Sequence, residues 1–143
     1  MSVSYIHLPP EAQISVVAES RPSKSVLVLQ QAVSTEWQSR VSEWLVKSGC
    51  LYMMAWGAEC SSWNDSVDWA NHSVVGLDDI PDNQFVMTTW HEDESLSDTF
   101  WFAGFTAHHP TVPLEHVAII DIGPTHRERQ MLQAYKEAQT QLD

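Results

Sequence analysis

Four apolar runs, each closed by polar residues with helix-starting chemistry and followed by apolar positions spaced three and four apart, set the rhythm of this chain. The first, residues 25–30, leads to Thr35 and Gln38, a possible capping box, and then to Trp37, Val41, Trp44 and Leu45 on one helical face, with Gly49 at the C-terminal stop. The second, residues 50–56, ends at Gly57 and leads to Ser62 as a cap and to a stripe of Trp63, Val67 and Ala70. The third, residues 84–90, passes through His91-Glu92-Asp93-Glu94 into a helix bearing Leu96, Phe100 and Ala103, capped by Asp93 or Ser95. The fourth, residues 116–122, turns at Gly123-Pro124 and enters a second capping box, Thr125 to Glu128, ahead of Met131, Leu132, Tyr135 and Ala138.

Alternating strand and helix signals predict an α/β fold. The strand runs are nearly continuous in apolar character, as central strands covered on both faces must be. The expected architecture is a single three-layer domain over residues 1–143, with a mainly parallel sheet of four to five strands and helices on both faces, Rossmann-like or flavodoxin-like. Residues 1–24 fit no one pattern: 13–18 read as an extra edge strand or as a short helix after Pro9-Pro10. Offset by 34 residues, Met53-Met54-Ala55-Trp56 echoes Met87-Thr88-Thr89-Trp90, so two strands end in tryptophan above acid-bearing loops.

Charge changes the picture more than composition does. The chain has 143 residues, 43% of them apolar, with seven Trp, enough to bury a core. Its net charge is −12, and the whole imbalance arises between Lys47 and Arg127, where twelve acids stand without one lysine or arginine. Such a field repels phosphate backbones and attracts cationic partners, which argues against nucleic acid and for a basic protein. No apolar run is long enough for a membrane span and no signal sequence is visible, so a cytoplasmic address and no membrane partner are expected. Cys50 and Cys60 are too few for a disulfide framework and read as free thiols.

In open parallel sheets the βα loops gather at the carboxyl ends of the strands, and ligands settle there. That rim gathers Trp56, Glu59, Ser61, Asp65, Trp90, His91, Glu92, Asp93, Glu94 and Asp121 as binding candidates. Cys60, His91 and Glu92 are the candidates for catalysis: a thiol near a helix start with an imidazole on a neighbouring strand tip is the arrangement of a nucleophilic site. No thiol-enzyme signature surrounds Cys60, however, and nearby carboxylates oppose thiolate formation. Histidine and acid spacing at residues 91–94, even with His108 and His109, does not match a metal site, because Ser95 stands where a zinc-protease motif requires its second histidine. No glycine-rich loop follows a strand, and Lys and Arg are absent from the rim loops, so no nucleotide and no other cofactor is expected.

The run Tyr52-Met53-Met54-Ala55-Trp56-Gly57 with Cys60-Ser61-Ser62-Trp63 and Asp65-Ser66-Val67-Asp68, then Thr88-Thr89-Trp90-His91-Glu92 with Phe100-Trp101-Phe102, resembles a bacterial domain family of small single-domain α/β proteins. The likeness spans residues 25–140. It implies no activity, since that family has no established function, but its polar and tryptophan residues gather at strand ends, which implies that the rim is the working side. The expectation is an acidic binding or inhibitor protein, in the manner of an immunity protein, that docks a basic partner through the rim. The alternatives are an enzyme using the Cys60, His91 and Glu92 group, which is not the favoured reading, and a small-molecule sensor or sponge with a pocket floored by Trp56 and Trp90.

Overall fold

The computed structural model describes residues 2–15, 20–76 and 79–141. Its elements run β1 (Ser2–Leu8), β2 (Ser23–Leu29), α1 (Thr35–Lys47), β3 (Cys50–Gly57), α2 (Cys60–Val75), a single 3-10 turn (Asp82–Gln84), β4 (Met87–Trp90), α3 (Leu96–Phe105), β5 (His116–Ile122) and α4 (Glu128–Gln139). The five strands form one parallel sheet in the order β1-β5-β2-β3-β4. The fold is α/β, as the alternation of patterns requires.

Two-sided burial explains the continuous apolar runs. In β2, Leu27 and Leu29 join Trp37, Val41, Leu45, Trp63 and Val67 in the core under α1 and α2, while Val26 and Val28 join Phe100, Ala103, Met131 and Tyr135 under α3 and α4. Because successive side chains of a strand point to opposite faces, such a strand can hold no exposed polar set. The connections through α1 and α2 step outward from β2 to β3 to β4. The connection through α3 then crosses back to β5 on the other side of β2, with its helix on the opposite face. The topological switch point therefore lies between β2 and β5.

Local chemistry fixes the starts of the helices, with three departures from expectation. Ser34, not Thr35, caps α1, its Oγ accepting the Trp37 N–H. Helix α2 starts at Cys60, ahead of Ser62, with Glu59 at the cap in left-handed geometry (φ 51°); the Ser62 hydroxyl instead donates to the Glu59 carbonyl. Ser95 caps α3 as expected, accepting the Asp98 N–H. The Thr125 to Glu128 capping box does not form: α4 starts at Glu128 with Arg127 at the cap position, because the Arg127 N–H is held by the Tyr5 hydroxyl. Gly57 is required by geometry, since φ is 109° and a Cβ there would sit 2.3 Å from the Leu29 carbonyl oxygen.

The extra edge strand exists but comes from residues 2–8, not from 13–18. Residues 13–15 form no regular element, and 16–18 lie outside the described residues. Strand β4 is shorter than the run at 84–90, because Gln84 belongs to the 3-10 turn and the Phe85 N–H and carbonyl that would extend the pairing meet the Asp82 carbonyl and His109 Nε2 instead.

Candidate functional site

The carboxyl rim of the sheet divides into two groups of side chains. Strands β4 and β5 are separated by β3 and β2, three strand spacings or roughly 14 Å, so the loop after β4 and the loop after β5 serve different neighbourhoods.

At the tips of β3 and β4 a tight polar clamp shapes the surface. The His91 imidazole is 4% exposed; its Nδ1 lies 2.6 Å from the Glu94 carboxylate and its Nε2 2.9 Å from the Thr89 hydroxyl, while its ring meets Phe102 edge-on at 4.8 Å. The Trp56 indole N–H donates to the Glu94 carbonyl at 2.8 Å, and the His91 N–H donates to the Ala55 carbonyl at 2.9 Å. The loop from His91 to Ser95 is thereby held at four points, and it presents Glu92 and Asp93 to solvent. Trp90 stands beside it with 46% of its surface exposed. Glu59, Ser61 and Asp65 are exposed at the start of α2.

Strand register separates the two strand-terminal indoles. Ala55 pairs with Trp90, so Trp56 lies one step further along and points to the other face, among the residues under α3. The two indoles do not floor one pocket.

Asp121 belongs to a second constellation, at the switch point. It is fully buried, and four donors converge on its carboxylate: the Tyr5 hydroxyl at 2.5 Å, Gln30 Nε2 at 3.0 Å, and Arg127 through Nη2 at 2.8 Å and Nε at 3.2 Å. Burial pushes the Asp121 carboxyl up, but the hydrogen bonds from Arg127, Tyr5 and Gln30, with the charge of Arg127, outweigh it and hold the group below the usual carboxylate range. Burial and the bond to Asp121 push the Tyr5 phenol up to about 12. His7 lies within hydrogen-bond distance of the Gly123 carbonyl (Nε2 at 2.7 Å), and the exposed His126 ring meets both Tyr5 and His7 edge-on at 5.3 and 5.5 Å.

The expectation that no Lys or Arg reaches the rim is corrected here: Arg127, two residues past the β5 loop, folds its guanidinium back onto Asp121. Tyr5, His7, Gln30 and Arg127 are residues the sequence reading did not single out. One signal was present, an acid inside an otherwise apolar strand, which needs a partner when buried.

Cys60 is 1% exposed and sits in the core under α1 and α2, whereas His91 packs against Phe102 of α3 on the other face. No hydrogen bond joins them among the described residues. Glu92 is exposed and has no ion-pair partner among them. His109, far along the chain, accepts the N–H groups of Thr111 and Val112 and meets the Phe85 carbonyl, fixing its own loop. The acid block is not confined to the rim. Asp79, Asp82 and Glu115 lie at the amino-terminal ends of the strands, and Asp78 lies outside the described residues.

No helix among the described residues is long and apolar enough to cross a membrane. No curated protein and no solved structure matches the chain. A family model does, over residues 3–138, so the chain belongs to the family described as Domain of unknown function (DUF7684).

Proposed function

We propose that this chain is an acidic binding protein that docks a basic protein partner through the rim at the ends of β3 and β4, in the way an immunity protein or inhibitor covers a cationic cleft. One observation carries the reading. An indole with nearly half its surface open, Trp90, stands among exposed carboxylates (Glu59, Asp65, Glu92, Asp93) that lack a Lys or Arg partner among the described residues, on a loop clamped by His91, Glu94 and Trp56. Preorganised loops and exposed aromatic anchors lower the ordering cost of association, and unpaired like charges speed the approach of an opposite surface. Asp121 leaves the proposed contact set, because it is buried and neutralised by Arg127.

The enzyme alternative draws less support from the geometry. Both nitrogens of His91 are engaged, and Cys60 faces the core. The test is calorimetric titration of the protein with a synthetic arginine-rich peptide, at low and at high salt. Binding that weakens steeply with salt, is lost in Glu92→Lys/Asp93→Lys, and is unchanged in Cys60→Ala supports docking. Binding indifferent to the charge reversal defeats it.

A further inference from the structure

Strand β4 closes one edge of the sheet and pairs only with β3. The His91 N–H points to the Ala55 carbonyl of β3; by strand alternation Thr89 and Met87 point the same way, and the backbone N–H and C=O groups of Thr88 and Trp90 face outward. The preceding member of that outward set, the Val86 N–H, is already taken by Asn71 Oδ1 at 2.9 Å. The open stretch therefore begins at Thr88. An edge that exposes unpaired backbone groups is a template for another strand unless it is covered or its flanks reject the newcomer.

The flanks of this edge select for charge. On the α2 side the Asn64 and Asp68 side chains hold the Thr88 hydroxyl, with Asp65 on the same side of the helix. On the α3 side Asp98, Phe102 and Phe105 follow one another at spacings of four and three, and Phe105 is 51% exposed. Beyond the carboxyl end stand Trp90, Glu92 and Asp93. None of these acids has a Lys or Arg partner among the described residues.

We infer that the β4 edge accepts an extended, Lys- and Arg-bearing segment of the partner as a sixth strand, hydrogen-bonded to Thr88 and Trp90, with its basic side chains between the acidic flanks and over the Trp90 indole. The inference rests on the docking reading above and specifies its mode. Backbone pairing supplies register, alternate side chains meet the two flanks, and a cation over an indole face adds attraction. A second copy of this chain is the wrong occupant, since pairing two β4 edges would bring Asp65, Asp68 and Asp98 of each against those of the other. The opposite edge, β1, is followed by Pro9-Pro10, and on the neighbouring α4 Arg129 and Lys136 offset Glu128 and Glu137, so it offers a basic segment no comparable flank of unpaired acids.

The test uses the whole protein and a synthetic peptide of alternating Arg, Thr and Val, alongside the same peptide N-methylated at every amide so that neither of its edges can donate to a strand. Amide hydrogen exchange at Thr88 and Trp90 is followed by NMR, and affinity by calorimetry. The expected result is at least tenfold weaker binding of the methylated peptide and slowed exchange at Thr88 and Trp90 with the unmodified one. If both peptides bind alike and Glu92→Lys/Asp93→Lys still abolishes binding, the rim docks a basic surface but strand addition is overturned. If neither peptide binds, or the charge reversal has no effect, the docking reading falls with it. Slowed exchange at β1 instead of β4 overturns the inference, as does protection of Thr88 and Trp90 that appears with protein concentration alone, which would make a second copy the occupant.

Discussion

Replacing Arg127 with Met keeps the aliphatic stem of the side chain and removes the guanidinium that grips Asp121. The wild-type pair is bidentate, and its carboxylate is wholly buried while the arginine side chain is 23% exposed. Removing one partner of a fully buried pair costs about 3–5 kcal/mol, because a charge is left stranded. Here Tyr5 and Gln30 still donate to Asp121, and the arginine is partly in water, so the expected loss is about 2–3 kcal/mol at neutral pH. For a chain of this size that is a fall in Tm of roughly 5–10 °C. The pH dependence has a fixed sign. The Asp121 carboxyl is depressed in the folded state, so its contribution is present above the unfolded pKa, near 3.9, and is lost as pH falls through the lower folded value. Without the guanidinium, burial raises that carboxyl, so in the variant protonation of Asp121 favours the folded state and acid relieves part of the loss. Thermal melts followed by circular dichroism from pH 7 down to 3 should show the Tm gap between wild type and Arg127→Met narrowing in acid, as Asp121 protonates in both. The double variant Asp121→Asn/Arg127→Met should regain part of the loss, since the stranded charge is gone. A Tm unchanged within about 1 °C in Arg127→Met at neutral pH, or a gap that does not narrow in acid, would refute this account of the switch point.

Lys24 is 2% exposed, and among the described residues its ammonium meets only the Ala103 carbonyl at 2.7 Å, a group left over at the end of α3 where the Ala107 N–H turns to Phe102 instead. Burial holds this lysine below its ordinary range, so stability should rise with pH between the folded and unfolded values. Lys24→Met should be at least as stable at pH 7, with its advantage shrinking in melts repeated toward pH 10. Both thiols should resist iodoacetamide in the native protein and react quickly in denaturant: Cys50 and Cys60 are each 1% exposed, and burial pushes the Cys50 thiol up to about 11. Rapid native alkylation of Cys60, read by mass spectrometry, would restore it as a nucleophile candidate.

Strand β5 was legible to the residue, because an apolar run bounded by prolines before it and Gly123-Pro124 after it leaves no other register. Strand β1 was not, since Ser2, Ser4 and His7 interrupt its apolar run at a half-buried edge; Ser2 and Ser4 flank the buried His116 ring. The helix starts were misplaced by one to three residues: Ser34 caps α1 in place of Thr35, Ser62 turns to the Glu59 carbonyl inside the first turn of α2, and Tyr5 takes the Arg127 N–H at α4. The rim was found as a place and misread as one surface. Sequence spacing shows that Asp121 and Glu92 both lie at the carboxyl ends of strands, but only strand order shows that β2 and β3 lie between them. Likewise the echo between residues 53–56 and 87–90 pointed to two similar loops, and the register then placed Trp56 and Trp90 on opposite faces.

Strand order also converts a linear charge bias into a spatial one. The base-free stretch contains β3, α2, β4, α3 and β5, and four of these five elements sit on the β3–β4 half of the sheet or over it. Strand β5 alone returns to the other half, and its single acid, Asp121, is buried under the first arginine that follows the stretch. The exposed acids that this stretch brings to the carboxyl rim therefore remain on one side, while on the other Glu11, Glu36 and Glu128 stand among Arg127, Arg129 and Lys136 on and beside α4. A basic partner approaching this molecule meets unopposed attraction at the β4 end and a mixed field near β1, so orientation is biased before contact. The buried Asp121–Arg127 pair contributes to that bias by cancelling the carboxylate that β5 carries from the base-free stretch to the carboxyl rim of the other half.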